Sequence, residues 1–212
     1  MLYIFDWDGT LCDSTDRIVG AMQQAAEQEE APMPTQQAVR DVIGLGLPEA
    51  MAIVFPTLTL GQQDRMREVY SKAYVELDRV PAGLFPSVSQ TLQELRGRGH
   101  SLAIATGKGR RGLDRVLEGL DLSDFFDATR CADEAASKPD PLMLEQLLQE
   151  LSVPTAQAVV IGDSEFDLEM ARNAGIASYG VSWGVHSRQR LMRHDPVAVL
   201  DEVGELLRIT GA

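Results

Sequence analysis

Leu2-Tyr-Ile-Phe-Asp6-Trp-Asp8-Gly9-Thr10 sets four apolar residues directly before two carboxylates. The apolar run has the length and character of a buried strand. Carboxylates at the end of such a strand are costly unless paired, hydrogen-bonded or metal-bound. Strand alternation places Asp6 and Asp8 on one side and turns Trp7 to the other, toward the core. Two carboxylates so near repel, which raises one pKa unless a cation intervenes. The stretch therefore calls for a positive partner nearby.

Further along, Ser101 to Ala105, Phe126 to Cys131, Ala158 to Ile161 and Ile176 to Val181 read as strands. Helical stripes lie between them: Val88, Leu92 and Leu95; Leu113, Val116, Leu117 and Leu120; Leu144, Leu147, Leu148 and Leu151. Strands alternating with helices predict an α/β fold, a mainly parallel sheet covered on both faces. Residues 15–86 break the alternation. They carry helical stripes, such as Ile18, Val19, Met22, Ala25 and Ala26, punctuated by prolines, and no convincing strand. This predicts a small all-helical domain, 15–86, inserted after the first strand of a core formed by 1–14 and 87–212. Two crossings of the chain, near Asp13 to Asp16 and Pro81 to Pro86, would permit a hinge.

Composition narrows the class. The chain has 212 residues, 44% hydrophobic and 24% charged, with a formal net charge of −13. Such a surface repels nucleic acid and anionic membranes. No apolar run approaches the roughly 20 residues of a membrane helix. Two cysteines, Cys12 and Cys131, make neither a disulfide framework nor a zinc spacing. With no basic, then apolar leader, they point to a reducing, cytoplasmic setting. Only three of the nineteen basic residues are lysine: Lys72, Lys108 and Lys138. A lysine among arginines offers a compact point charge that a guanidinium cannot.

In open α/β sheets ligands bind at the carboxyl ends of strands. Asp6 and Asp8 follow the first strand, Thr106-Gly107-Lys108 the second, and Gly162-Asp163 a later one. Lys138 precedes the Leu144 helix. Three carboxylates, a hydroxyl and one or two ammonium groups would meet there. Hard oxygen ligands favour Mg2+, while glycine-freed backbone at a helix start binds anions. Metal, anion cradle and carboxylate together read as phosphoryl transfer.

The ordered motifs Asp6-Trp-Asp8-Gly9-Thr10, Leu102-Ala-Ile-Ala-Thr106, Ser137-Lys138-Pro139 and Gly162-Asp163-Ser-Glu-Phe-Asp167 resemble those of the haloacid dehalogenase superfamily. The phosphoglycolate phosphatase-like members with a helical cap are most similar. The resemblance implies a three-layer α/β/α Rossmann-like core. It implies Asp6 as nucleophile, through an aspartyl-phosphate, and Asp8 as acid and base. Thr106 and Lys138 would hold the phosphoryl oxygens, with Gly107 and the Trp7 backbone beside them. Mg2+ would take the Asp6 and Asp163 carboxylates and the Asp8 main-chain carbonyl, with Asp167 behind. The implied activity is Mg2+-dependent hydrolysis of a small phosphorylated metabolite such as phosphoglycolate, by a monomer or weak homodimer.

Two other functions stay open. A phosphosugar mutase shares this core and cap but needs cations in a cap turn, and Val42-Ile-Gly-Leu-Gly-Leu-Pro48 has none. A non-catalytic phosphate-binding regulator would be expected to lack Asp6, Lys138 or Asp163. Asp167 also suits a capping box with Ser164, and Asp140-Pro141 suits a helix start. Arg40, Arg65 and Arg79 are candidates for a substrate carboxylate, although helix-surface charge explains each equally. His100, His186 and His194 show no ligand spacing.

Overall fold

The computed structural model describes residues 1–78 and 82–209. Arg79 and the Pro81 end of the expected second crossing lie outside them. Six strands form one sheet: β1 (Leu2–Phe5), β2 (Ser101–Thr106), β3 (Ala128–Cys131), β4 (Ala158–Gly162), β5 (Ala177–Val181) and β6 (Ala198–Leu200). Their order is β3-β2-β1-β4-β5-β6, and every pairing is parallel. The α/β expectation holds. One strand escaped the sequence pattern. β6 has three residues and borders only β5; it lies in the apolar run Val197-Ala-Val-Leu200, which follows Pro196 near the end of the chain and does not stand out there as a strand.

Alternation sorts the central strands onto two faces. Tyr3, Phe5, Leu102, Ile104, Val159 and Ile161 join one core. Leu2, Ile4, Ala103, Ala105, Ala158 and Val160 join another. Helices α5 (Val88–Gly97) and α6 (Arg110–Gly119) cover the first through Val88, Leu92, Leu95, Leu113 and Leu117. Helices α7 (Leu142–Leu151) and α8 (Glu165–Asn173) cover the second through Met143, Leu144, Leu147 and Met170. On that face β2 presents Ala103 and Ala105, and β4 presents Ala158 and Val160. Helix and sheet thus make three layers, Rossmann-like in form.

Helices α1 (Thr15–Gln28), α2 (Gln36–Arg40), α3 (Leu47–Val54) and α4 (Leu60–Leu77) come between β1 and α5. Thr59 and Gln62 start α4 with reciprocal caps, Gln62 N–H to Thr59 Oγ1 and Thr59 N–H to Gln62 Oε1. Val19, Met22, Met51, Met66 and Tyr74 give these helices a core of their own. No strand forms there among the described residues, only an isolated bridge between Ile43 and Leu45. Ala82, Leu84 and Phe85 already pack with the sheet core, and Cys12 bridges to Leu84 where the two crossings lie side by side. Helix α9 (Arg188–Leu191) follows β5 and α10 (Leu206–Ile209) follows β6. No described helix is long and apolar enough to cross a membrane.

Candidate active site

β1 and β4 are neighbours, and Asp6 N–H donates to Ile161 O at 2.9 Å, which extends the ladder past the strand end. That bond brings Asp6 alongside the Gly162-Asp163 turn. Lys138, from the loop before α7, reaches both Asp6 Oδ1 and Asp167 Oδ1 at 2.6 Å. Its side chain is fully buried. Burial opposes its charge, but Asp167 and Asp6 outweigh that and hold the ammonium above its ordinary range. One carboxylate oxygen each from Asp6, Asp163 and Asp167 lies within 4.8 Å of the others.

Three buried acids to one ammonium leave an excess of negative charge. Burial, then Asp167 and Asp163, push the Asp6 carboxyl well above the usual range against the pull of Lys138. Burial and then Asp167 push Asp163 up to about 7. Asp6 Oδ2 is buried with no hydrogen-bond partner. An orphaned carboxylate oxygen beside two further hard oxygen donors fits a divalent cation such as Mg2+. Asp163 itself is oriented from two sides: Thr10 Oγ1 donates to its Oδ1 at 2.9 Å and Val185 N–H to its Oδ2 at 2.8 Å. Asp167 accepts from Ser164 N–H at 3.1 Å at the start of α8, so it caps its helix and binds Lys138 together.

Asp8 points elsewhere. Ser14 Oγ donates to its Oδ1 at 2.6 Å, and Lys108 Nζ lies 3.0 Å from its Oδ2. The Lys108 ammonium sits 4.5 Å from the centre of the Tyr74 ring, on α4, a cation–π contact. Burial disfavours the Lys108 charge, but Asp8 and its other neighbours leave the ammonium above its ordinary range. Thr106 is buried at the end of β2, where its Oγ1 accepts from Lys108 N–H at 3.1 Å. Trp7 has no exposure and packs edge-on against Phe126, away from the acids, as alternation requires.

The helical segment meets this edge through Gly44, Leu45 and Gly46. A Cβ on Gly107 would lie 2.4 Å from Leu45 O and 2.6 Å from Gly44 O. Gly46 N–H donates to Ser137 Oγ at 2.8 Å. Across the sheet, Arg190 bridges Asp41 at 2.7 Å and Glu165 at 2.5 Å. Between the two parts opens a cavity of about 1360 Å³. Asp6, Asp8, Thr106, Gly107 and Lys108 line its sheet side, and Ile18, Met22, Ile43 and Tyr70 its helical side.

The predicted residues therefore fall into two groups at one sheet edge. Asp6, Lys138, Asp163 and Asp167 form the buried cluster, and Asp8, Thr106, Gly107 and Lys108 border the cavity. Thr10, Ser14, Val185 N–H and Tyr74 were not foreseen. Thr10 stands in the quoted motif and could have been; the others carry no local signal. Arg40 pairs with Asp16, and Arg65 with Glu29, both as surface ion pairs. Cys12 and Cys131 are buried and unbridged. Asp140 accepts from Leu142 N–H at 3.0 Å and starts α7, with Pro141 one place before the first helical residue expected of it. His186 is buried and its Nδ1 accepts from Glu165 N–H at 2.9 Å, a structural bond.

Residues 3–181 match the model of the haloacid dehalogenase-like hydrolase family. A phosphoglycolate phosphatase of Vibrio cholerae is 31% identical over 216 residues, 98% of this chain and 96% of that protein. A haloacid dehalogenase-like hydrolase from Streptococcus pneumoniae superposes with a TM-score of 0.85 at 27% identity, over 98% of this chain and 97% of its own. A Thermotoga maritima structure that bears the name of a β-phosphoglucomutase gives 0.73 at 28% identity, over 99% of both chains. Sheet order, site position and family match agree, and the chain belongs to the haloacid dehalogenase-like hydrolases.

Proposed function

We propose that this protein is a Mg2+-dependent phosphatase that hydrolyses a small phosphorylated metabolite through an aspartyl-phosphate on Asp6. The observation that carries this is the buried cluster in which Lys138 bonds Asp6 and Asp167 while Asp6 Oδ2 has no partner. Phosphatase names among the relatives point the same way. Asp6, Asp163 and the Asp8 carbonyl would hold Mg2+, which when bound neutralises the phosphoryl oxygens and the excess acid charge.

Asp6 attacks phosphorus, and Lys138 and Thr106 stabilise the oxygens that gain charge. Asp8 gives its proton to the departing alcohol oxygen, and as carboxylate then takes one from the water that cleaves the acyl phosphate. Gly107 and the Trp7 backbone border the phosphate, and Asp167 holds Lys138 in line. Residues 15–86 act as a cap that excludes bulk water. A mutase would need a cation in the Val42–Pro48 turn to hold a second phosphate. The turn has none, and its glycines instead approach Gly107 and Ser137.

The test is phosphate release from a panel of phosphate monoesters with Mg2+ and with EDTA, and an acid quench to trap phosphate on Asp6. Mg2+-dependent release and a phosphorylated Asp6 peptide are expected. Mutual isomerisation of phosphosugars without net phosphate release would replace this reading with the mutase.

A further inference from the structure

We propose that the alcohol half of the substrate is an apolar, ring-sized group without a carboxylate, held by Tyr70 and the apolar wall of the helical segment. This rests on the phosphatase reading and departs from phosphoglycolate as the physiological ester. The cavity continues from Asp6 and Asp8, so the phosphate end is fixed and the remaining wall must face the leaving alcohol. Its apolar part is Ile18, Met22, Ile43, Leu47, Tyr70 and Tyr74, and its charged part includes Asp64, Glu68 and Glu76, which repel a carboxylate. Tyr70 and Tyr74 present neighbouring rings, 6.1 Å apart and tilted by 36°. The cleft, about 1360 Å³, leaves room beyond the phosphate for a ring.

The cations around the cavity argue against a carboxylate. Among the described residues, those lining it are Arg67, Lys72, Lys108, Arg111 and Arg115. Lys108 is held by Asp8, Arg115 by Asp78 at 3.1 Å and Arg67 by Asp64. Lys72 and Arg111 also line the cavity, but both are exposed to solvent, where water weakens their pull on a carboxylate. Lys138 is held by Asp6 and Asp167. A carboxylate against the apolar wall would lose its water without gaining a cation. A ring placed there loses apolar contact with water and gains offset contact with Tyr70.

The experiment compares benzyl phosphate with phosphoglycolate, whose leaving alcohols are similarly acidic, so recognition rather than intrinsic reactivity sets the ratio. kcat/KM for benzyl phosphate is expected to exceed that for phosphoglycolate by about tenfold or more. Tyr70→Ala should cut that ratio by about tenfold, through KM. Tyr70→Arg, which adds a cation, should shift preference toward phosphoglycolate and keeps the test open if Tyr70→Ala does not fold. Equal or better turnover of phosphoglycolate by the wild type overturns the proposal. Binding of benzylphosphonate against phosphonoacetate, with Mg2+, separates the two readings. Tighter benzylphosphonate with no turnover of any ester sinks the phosphatase and leaves the pocket assignment standing; tighter phosphonoacetate sinks the pocket assignment.

Discussion

The sheet edge and the helical segment solve opposite problems. At the edge the fold buries Asp6, Asp163, Asp167 and Lys138 almost completely. In α1 to α4 the interior is apolar and methionine-rich, and the ion pairs of Arg40, Arg65 and Arg67 lie on the surface. Burying ions costs several kcal/mol each, whereas exposed pairs contribute about 0–1 kcal/mol. Asp78, directly after α4, is the exception, a buried carboxylate paired with Arg17 and Arg115, so buried charge is concentrated at the sheet edge rather than confined to it.

That contrast can be broken by substitution. Asp6→Asn should lower kcat by about 10⁴-fold or more with the fold intact, as removal of a nucleophile does. Circular dichroism and phosphate release measure the two halves, and retained Mg2+-dependent turnover would overturn the assignment of Asp6. Lys138→Met strands Asp6 and Asp167 without their cation. It should cost about 3–5 kcal/mol of stability, read from urea denaturation. A loss below about 1 kcal/mol would mean that the acids are not held by Lys138.

The acids also make stability depend on pH. The native Asp163 carboxyl titrates near 7, against an ordinary 3.8. Between those values the native state holds a proton that the unfolded state has released. In EDTA, stability should therefore fall as pH rises from about 4 to about 7, and the raised Asp6 carboxyl adds to that fall. Mg2+ should raise the urea midpoint more at pH 7.5 than at pH 5. A pH-independent midpoint in EDTA would contradict the shift. The smallest effect belongs to the contact between the two regions. Arg190→Ala removes its pairs with Asp41 and Glu165 and should change stability by less than about 1 kcal/mol. Amide exchange across α2 should still quicken; unchanged exchange would show that the pair with Asp41 does not hold the helical segment.

The central strands β1, β2 and β4 were legible because burial on both faces leaves nearly continuous apolar runs, whereas β3 at the sheet edge, Ala-Thr-Arg-Cys, gave a weaker pattern. β6, three residues at the sheet margin, sits in Val197-Ala-Val-Leu200, a run as apolar as β1, and escapes because a short edge strand beside Asp195-Pro196 reads equally as a turn. Asp6, Asp8 and Asp163 were legible because charge beside a buried strand is conspicuous, and Lys138 because it is one of three lysines among sixteen arginines and stands in a Ser-Lys-Pro motif. The partners that orient them were not. Ser14, which donates to Asp8, and the Val185 N–H, which donates to Asp163, are a neutral hydroxyl and a main-chain group, and neither imposes a pattern on sequence. Tyr74 reaches Lys108 only because α4 folds back over the sheet edge, which no local period encodes.

Mutational drift meets its hardest limit here in residues that look like spacers. Gly9 has φ +88°, and a Cβ there would stand 2.3 Å from Asp163 Oδ2; one on Gly184 would stand 2.1 Å from Asp163 Cβ. One on Gly162 would stand 2.3 Å from Asp167 Cβ. The smallest possible addition, a single methyl, collides with the carboxylates from three directions. No neutral path leads away from these glycines, so tolerance to change around the acids is set as much by missing side chains as by the acids themselves.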